Sequence, residues 1–306
     1  MVIPSVFLES DPKMHMSINL DTGLWRCFKT GEKGNFYQLY SILEKCTYNK
    51  ARSKATLHSY TQKGKKEAKR AELLKKNEDE HSPDEDLKNA IGIQHDDHLG
   101  WDDLSEFHKE CYNYLNGRRL LDPDKEGPQF YFVPPEANDR LRGRIIIPYF
   151  EEGQIFFYQA RAMGERFPKY LNSKTCKASH VLYPFNELEE YVIVAEGPFD
   201  CISLQLAGLN ATCTNGSYLS KEQYKLLGES GCDVILGFDA DKAGREGTLN
   251  FDKNRRKYMI PPFQVCSPPT GYSDWNEAFM SHRDLAKWVD NNTKKFNPII
   301  FKLDHL

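Results

Sequence analysis

No stretch of the 306-residue sequence approaches the roughly 18 consecutive apolar residues that a membrane-spanning helix needs. Its first residues also show no segment typical of a secretory signal. We therefore expect a protein that works in the cytoplasm and not in a membrane. Hydrophobic residues make up 40% and charged residues 28% of the chain, which is typical of globular domains. The length allows roughly two domains with linkers.

Paired cysteines are missing as well. The chain has 8 cysteines, and no two of them are spaced as in a CxxC motif. Scattered cysteines in a chain without a secretory signal are typical of reduced thiols, so we expect reduced thiols and no disulfide framework.

The sequence also lacks an excess of positive charge. The formal net charge is -3, so binding to nucleic acid would have to come from local segregation of charge. Residues 49–95 show such segregation, because Lys63–Lys76 is basic and Glu78–Asp86 is acidic. Blocks of like charge cannot form a core, which favours a charged linker over residues 49–95. A basic arm that contacts DNA is the alternative interpretation.

Residues 1–48 are predicted to form a small β unit. Residues 17–20 and 24–28 are apolar-rich and flank the turn residues 21–23, a pattern typical of a β-hairpin. Residues 35–43 follow with apolar side chains at helical spacing.

In the remainder of the chain, the pattern of predicted helices and strands changes at about residue 188. Between residues 96 and 188 a helix over 101–121 is followed by predicted strands at 130–133, 144–149 and 154–160. From residue 189 to 290, apolar strands alternate with helices, and residues 291–306 are left as a C-terminal tail. Continuous apolar strands that alternate with helices indicate a parallel sheet covered on both faces, which makes the fold class α/β.

Four carboxylates are expected at one edge of this sheet. Glu196 and Asp200 follow the strand at 192–195, and Asp239 and Asp241 follow the strand at 234–238. Ligands of open α/β sheets bind at the carboxyl ends of the strands. Alternation along an extended DxD segment places Asp239 and Asp241 on the same side.

Clustered carboxylates repel one another unless a cation neutralises them. Mg²⁺ binds a few carboxylates, keeps several waters and completes its shell with phosphate oxygens. Two such ions can stabilise an in-line phosphoryl displacement. The sequence therefore predicts a Mg²⁺ or Mn²⁺ site with Glu196, Asp200, Asp239 and Asp241 as catalytic residues. Helix capping is the alternative role, above all for Asp200.

These motifs resemble a known family. Residues 196–200 (EGPFD), 214–217 (TNGS) and 239–247 (DADKAGREG) are similar to the signature of Toprim domains, which are shared by primases, topoisomerases and some nucleases. Residues 272–277 (YSDWNE) resemble a third acidic motif of phage primases. The resemblance implies metal ligands at Glu196, Asp239, Asp241 and Asp274, on a Toprim-type parallel sheet flanked by helices.

The segment before this domain resembles the basic subdomain of bacterial and phage DNA primases. Its motifs are RGRIIIP at 142–148, YQARA at 158–162, PKYLNS at 168–173 and LYPFN at 182–186, and the helix with YLNGRR at 114–119 is similar too. The resemblance implies a mixed α+β basic subdomain over residues 96–188 and a phage-type primase that makes RNA primers on single-stranded DNA from ribonucleoside triphosphates. The implied nucleotide- or template-binding residues are Arg144, Arg161, Lys169, Asn172, Lys177 and Arg245.

The N-terminal unit departs from the family pattern. Residues 25–36 are similar to the second half of a primase zinc ribbon, but the second ligand position holds Thr30 and no ligand pair precedes Cys27. One cysteine and the isolated His15 do not make a tetrahedral zinc site. We therefore interpret residues 1–48 as a degenerate or truncated ribbon and expect no zinc.

Three functions stay open at this point. A primase is favoured by the PKYLNS segment, and a Toprim nuclease would explain the acidic residues alone. A non-catalytic DNA-binding replication adaptor is the third candidate, which the four intact carboxylates disfavour. No Walker A motif occurs in the sequence, so a replicative helicase is expected as a separate partner.

Overall fold

The computed structural model describes residues 2–45, apart from 9 and 20–22, and residues 83–303, apart from 152, 188 and 259. The basic block Lys63–Lys76 and the acidic block up to residue 82 lie outside the described residues. The choice between a linker and a basic arm therefore stays a prediction.

Short antiparallel strands form the N-terminal sheet. In chain order they are β1 (Val2–Ile3), β2 (Met16–Ile18), β3 (Trp25–Cys27) and β4 (Lys33–Gly34). β2 pairs with β3, so the predicted hairpin is confirmed, although part of its turn lies outside the described residues.

The predicted helix of this unit is confirmed as α1 (Phe36–Leu43). It begins at Asn35, whose side chain accepts from the main chain of Gln38 while the Gln38 side chain accepts from the main chain of Asn35. This reciprocal capping box satisfies two main-chain donors at the helix start.

The second sheet is antiparallel. Its strands, in spatial and chain order, are β5 (Ile91–Ile93), β6 (Phe130–Val133), β7 (Arg144–Glu151), β8 (Gln154–Ala162) and β9 (Tyr170–Asn172). We call it the basic sheet. β5 lies inside the segment predicted as a linker, and its pairing with β6 shows that the sheet begins before residue 96.

Three helices lie before the basic sheet or between its first two strands. They are α2 (Pro83–Asp86), a 3-10 helix (His95–Asp103) and α3 (Glu106–Gly117). The helix predicted over 101–121 is therefore shorter, because Ser105 caps α3 by accepting from the main chain of His108. A further 3-10 helix (Ala178–His180) follows β9.

Parallel strands dominate the third sheet, as predicted. The strands are β10 (Tyr191–Ala195), β11 (Ala211–Cys213), β12 (Asp233–Leu236), β13 (Gln264–Val265) and β14 (Lys294–Lys295). Their spatial order is β11-β10-β12-β13-β14. β14 is antiparallel to β13 and lies in the segment predicted as a tail, so the sheet extends further along the chain than expected.

The helices of this last unit alternate with its strands. They are α4 (Pro198–Leu206), α5 (Lys221–Ser230), α6 (Lys242–Arg255), a 3-10 helix (Arg256–Tyr258), α7 (Trp275–Met280), α8 (Leu285–Asn292) and α9 (Pro298–Leu303). Apolar clusters lie on both faces of the sheet, which is the layering that parallel strands require. None of the helices that the structure describes is sufficiently long and apolar to cross a bilayer.

The basic sheet joins this unit through one of its faces. Ile145 and Ile147 of β7 share an apolar cluster with Phe199 and Ile202 of α4. Side chains alternate between the two faces along a strand, so Ile146 of β7 and Ala160 of β8 lie in an apolar cluster on the other face. One face of the basic sheet is therefore covered by α4, and the other face is directed away from it.

Candidate catalytic site

The acidic residues lie where two neighbouring parallel strands end. β10 pairs with β12, with Val194 opposite Leu236. Glu196 follows directly after β10, and Asp239 comes shortly after β12. The sheet topology therefore brings the two predicted acidic motifs to the same edge, as expected from the sequence.

Glu196 and Asp239 are in direct contact. The Asp239 main-chain N–H donates to Glu196 Oε1 at 3.2 Å, and the Ser217 hydroxyl donates to Glu196 Oε2 at 2.5 Å. Burial raises the pKa of Glu196, although these two hydrogen bonds oppose the shift. Ser217 belongs to the TNGS motif and holds the Glu196 carboxylate in one orientation.

Asp200 lies in the first turn of α4 and is held from another helix. The main-chain N–H of Asn276 donates to Asp200 Oδ1 at 3.0 Å. Burial, and then the nearby Asp274 carboxylate, raise the pKa of Asp200 to about 7. A group with this pKa changes its charge near neutral pH, which is common at functional sites.

Asp241 and Asp274 are helix caps that also face the cluster. Asp241 Oδ1 accepts from the Gly244 N–H at 2.8 Å at the start of α6, and Asp274 Oδ1 accepts from the Glu277 N–H at 2.7 Å at the start of α7. Capping, the alternative interpretation, thus applies to these two residues. Since a carboxylate has about four lone-pair sites, a cap leaves capacity for a cation.

Among the five acidic residues, Asp239 has a buried carboxylate oxygen, Oδ1, without a hydrogen-bond partner in the described part of the chain. Burial and then the carboxylates of the other four residues raise its pKa to about 8. An orphaned acceptor among like charges fits a divalent cation, which would satisfy the oxygen and neutralise the repulsion.

The carboxylates do not form a closed cage. Within the described ranges, no three His, Cys, Asp or Glu side chains converge closely enough to hold a metal ion. Mg²⁺ does not require such a cage, because it retains several waters and takes substrate phosphates as ligands. The residues therefore fit an open magnesium site better than a structural metal centre.

Two glycines allow α6 to approach this cluster. A Cβ atom at Gly244 would lie 2.1 Å from the Asp239 carbonyl oxygen and 2.9 Å from Glu196 Oε1. A Cβ atom at Gly247 would lie 2.2 Å from the Ser217 carbonyl oxygen. The AG-x-x-G spacing of the DADKAGREG motif thus has a steric role that sequence reasoning did not identify.

Arg161 packs against the helix that carries Asp200. Its guanidinium lies 5.2 Å from the ring centroid of Phe199, the residue before Asp200, and donates to the Tyr170 hydroxyl at 2.5 Å. It also lies 5.6 Å from the ring centroid of Tyr114. These aromatic contacts hold a permanent positive charge beside the acidic edge.

The other predicted basic residues divide between the two faces of the basic sheet. Arg161 lies opposite Ile145, on the face covered by α4, and Asn172 accepts from the Gln159 side chain at 2.9 Å. Arg144 pairs with Ala162 and lies on the other face. Lys169 precedes β9 and is exposed. The predicted binding set is thus not one continuous surface.

Lys177 and Arg245 lie outside these groups. Lys177 is exposed at the start of the 3-10 helix Ala178–His180. Arg245 donates to the carbonyl of Ala240 at 2.9 Å. Ala240 lies between Asp239 and Asp241 in the sequence. The roles of Lys177 and Arg245 in binding stay predictions.

Asn276 is a site residue that the sequence analysis quoted within a motif without assigning it a role. Its side chain is 1% exposed, accepts from Arg118 at 2.7 Å and donates to the Ser203 hydroxyl at 2.9 Å. It therefore fixes the end of α3 against α4 while its main chain holds Asp200. A buried amide in an acidic motif is the signal that could have found it.

Hydrogen bonds surround Cys27 in the N-terminal unit that the sequence predicts to be a degenerate ribbon. The Ser5 hydroxyl donates to Cys27 Sγ at 3.1 Å, and the Ser5 main chain donates to Asp11 at 2.7 Å. Burial opposes ionisation of the Cys27 thiol, but hydrogen bonds from Ser5 and Thr30 outweigh it and lower its pKa to about 7. A hydroxyl network thus surrounds the one cysteine of the ribbon-like motif.

We predict that the purified protein contains no stoichiometric zinc. The reason is that Ser5 and Thr30 offer hydroxyls where a ribbon site needs thiolates or imidazoles. Elemental analysis should give well under one zinc per chain, and a chelator should leave the thermal unfolding temperature unchanged. About one zinc per chain, released together with unfolding, would contradict this prediction.

Comparison with known proteins supports the sequence resemblance. Residues 193–279 match a family model described as Toprim-like, and these residues include Glu196, Asp200, Asp239, Asp241 and Asp274. The expectation of a Toprim fold is thereby confirmed for this part of the chain.

Curated relatives of the chain are bacterial DNA primases. The DNA primase of Clostridium acetobutylicum is 37% identical over 121 residues, which cover 36% of this chain and 20% of that protein. The DNA primase of Thermotoga maritima is 32% identical over 168 residues, which cover 50% of this chain and 29% of that protein. The chain thus matches less than a third of the length of these relatives.

Among solved structures, the zinc-binding and RNA polymerase domains of the Aquifex aeolicus primase are similar to 96% of this chain and 79% of that one, with 20% identity and a TM-score of 0.44. In sequence, the chain is thus similar to parts of bacterial DNA primases, and it contains a Toprim-like domain. Its assignment to the phage branch stays a prediction.

Proposed function

We propose that this chain is the catalytic core of a DNA primase, which synthesises short RNA primers on single-stranded DNA from ribonucleoside triphosphates. The reaction is a nucleotidyl transfer, in which a ribose hydroxyl attacks the α-phosphate of the incoming nucleotide and pyrophosphate leaves. Mg²⁺ or Mn²⁺ is the expected cofactor.

One observation carries the proposal: Phe199 lies between the positively charged Arg161 and the acidic residue Asp200. Its ring contacts the Arg161 guanidinium, and the next residue along α4 is Asp200. Burial raises the pKa of Tyr170, the hydroxyl partner of Arg161, and the Asp200 carboxylate adds to that shift. A fixed cation therefore lies beside a metal-binding edge, as a polyanionic substrate requires.

Glu196, Asp239, Asp241 and Asp274 are the residues that would hold the metal, with Asp200 next to them. Bound there, divalent ions supply charge neutralisation for the phosphates and lower the barrier to displacement. Ser217 and Asn276 orient Glu196 and Asp200 through their hydrogen bonds to these carboxylates. Arg161 and Lys169 would contact phosphates of the nucleotide or the template.

The partners follow from the reaction. Single-stranded DNA and ribonucleoside triphosphates would bind along the basic sheet, and a separate replicative helicase would supply the unwound template. The DNA and nucleotide assignments come from the resemblance to primases and from the positions of Arg161, Lys169 and Asn172. The helicase assignment comes from that resemblance and from the lack of a Walker A motif in the sequence.

A Toprim nuclease and a non-catalytic adaptor are the competing functions. A nuclease explains the carboxylates but gives no role to the basic sheet, whereas an adaptor gives no role to the orphaned Asp239 oxygen. Incubating the protein with end-labelled single-stranded DNA, Mg²⁺ and ribonucleotides separates the three. A primase yields new RNA and intact template, a nuclease yields shortened template, and an adaptor yields neither.

Arg161→Ala and Lys169→Ala are predicted to impair binding and not the metal site. Each loss of a phosphate contact should reduce the salt dependence of template affinity by about 0.7 in log–log slope for single strands. The measurements are template affinity over a salt series, and initiation rate against nucleotide concentration.

Two further variants make this prediction specific. Arg161→Lys retains the charge but loses the planar contact with Phe199, so it should keep the slope while weakening affinity. Lys253→Ala removes an exposed lysine near the far end of α6 and should match the parent. If Arg161→Ala and Lys169→Ala also match the parent, these two residues have no part in substrate binding.

A further inference from the structure

A cavity opens on the face of the basic sheet that is directed away from α4. Its volume is about 480 Å³, and its lining includes Arg140, Arg142, Arg144, Arg166, Phe167 and Leu171. The strand register places it opposite the Arg161 face, because Arg144 pairs with Ala162 while Ile145 pairs with Arg161. The cavity is thus separate from the acidic edge.

Most of the positive charge in this cavity forms no salt bridge. The lining also contains the Asp139 carboxylate, which accepts from the Asn89 side chain and the Leu141 main chain. Arg140 is paired with Asp86 at 3.1 Å, but Arg142, Arg144 and Arg166 form no salt bridge with any residue that the structure describes. Arg144 is only 4% exposed and its nearest acceptors are the carbonyls of Ala160 and Lys169, at 3.3 and 3.5 Å. A buried cation of this kind is stabilised by an anionic ligand.

Arg166 is held in place before any ligand arrives. It donates to the Arg142 carbonyl at 3.2 Å, and its guanidinium lies 3.1 Å from where a Cβ atom of Gly143 would be. Gly143 has a φ of +66°, a conformation that suits glycine. The backbone at this glycine therefore makes room for the arginine that faces the cavity.

Phe167 is 94% exposed and borders the same cavity. A single exposed aromatic residue is common on protein surfaces, but Phe167 lines the same cavity as three arginines that form no salt bridge within the described part of the chain. An exposed aromatic face beside phosphate-binding cations is the combination that recognises unpaired bases on a nucleic-acid strand. A protein or lipid partner would instead call for a wider apolar surface.

We propose that this cavity binds single-stranded DNA, with a phosphate at Arg142, Arg144 and Arg166 and an unpaired base stacked on Phe167. The inference rests on the proposed action of the protein on a single-stranded template. It adds a second contact region, on the far face of the basic sheet. The edge strand β9 lies between the two regions, and Lys169 lies at its start.

The test uses the full chain and a fluorescent oligothymidylate of roughly 16 nucleotides, without Mg²⁺ or ribonucleotides. Phe167→Ala should weaken binding by about 5- to 150-fold, the range that loss of one stacked base gives. Its salt dependence should equal that of the parent, and Phe167→Trp should restore affinity. Arg166→Ala should instead reduce the salt slope by about 0.7.

Two controls exclude general effects. Leu99→Ala removes an apolar side chain that is 79% exposed and should bind as the parent does. A duplex of the same length should lose little affinity upon Phe167→Ala, because its bases are already stacked. Parental affinity for the single strand in Phe167→Ala, or an equal loss for the duplex, would overturn the proposal.

The outcome is independent of catalysis. If the parent makes no RNA but Phe167→Ala still weakens binding to the single strand, the proposed function is wrong and the cavity assignment is retained. If the parent makes RNA and Phe167→Ala binds normally, the cavity assignment is wrong and the proposed function is retained.

Discussion

Asp239→Asn and Asp241→Asn should each lower primer synthesis by about a thousandfold or more while the protein stays folded. Each change removes a carboxylate from the predicted metal site, which is worth several kcal/mol of transition-state stabilisation, and each 1.36 kcal/mol, roughly, is a factor of ten in rate. The measurement is the rate of RNA synthesis at saturating Mg²⁺ and nucleotide.

Although Asp239→Asn should lower activity, it should not lower the stability of the fold. Folding raises its pKa to about 8, through burial and then the neighbouring carboxylates, so ionised Asp239 costs folding free energy at higher pH. Asp239→Asn removes this cost, and its unfolding temperature without Mg²⁺ should equal or exceed that of the parent above neutral pH. An inactive variant with a much lower unfolding temperature would indicate a structural role instead.

Asp284→Asn provides the matched control for Asp241→Asn. Asp284 also caps a helix, accepting from the Lys287 main chain at 3.0 Å, but it caps α8 and not the helix that begins beside Asp239. Because asparagine is an equally good cap, both variants should fold normally and only Asp241→Asn should lose activity. Equal activity in the two variants would remove Asp241 from the metal site.

Gly244→Ala should lower primer synthesis by about a hundredfold, the effect of displacing catalytic groups by roughly 1 Å. The new methyl group would have to avoid the Asp239 carbonyl oxygen and the Glu196 carboxylate, so the start of α6 must move away from the site. Overpacking of this kind costs about 1–3 kcal/mol of unfolding free energy, which denaturant titration would measure.

Gly117→Ala is the control for this effect. Gly117 ends α3, and among the described residues no atom other than those of its chain neighbours and its own helix backbone lies within 4 Å of the position that a methyl group would take there. Alanine should therefore be neutral or stabilising by up to about 1 kcal/mol at this position. Full activity in Gly244→Ala would mean that α6 can move without disturbing Asp239, contrary to the close approach of Gly244 to the Asp239 carbonyl.

Much of the Toprim-like unit could be predicted because its sequence signals are local. The alternation of apolar strands and helices after residue 188 indicated a parallel sheet, and the positions of Glu196 and Asp239 after two strands placed them at one edge. β14 was not predicted, because its two residues, Lys294 and Lys295, have exposed side chains and pair with β13 through their main chain. Such a strand has no apolar pattern.

The functions of individual polar residues were harder to predict. Capping by Asp241 and Asp274 depends on where α6 and α7 begin. Asn276 contacts Arg118, at the end of α3, over a sequence separation of 158 residues. The division of Arg144 and Arg161 between opposite faces follows from strand register. The resemblance to primases named both as binding residues but did not indicate their faces.

Sequencing the RNA made by the parent protein tests the central claim most directly. The reaction contains a circular single-stranded DNA of mixed sequence, Mg²⁺ and the four ribonucleoside triphosphates, with Asp239→Asn in parallel. The account predicts short RNAs that are complementary to the template, that require the template for their formation and that are missing from the Asp239→Asn reaction. RNA without complementarity to the template, or cleaved DNA in place of RNA, would contradict it.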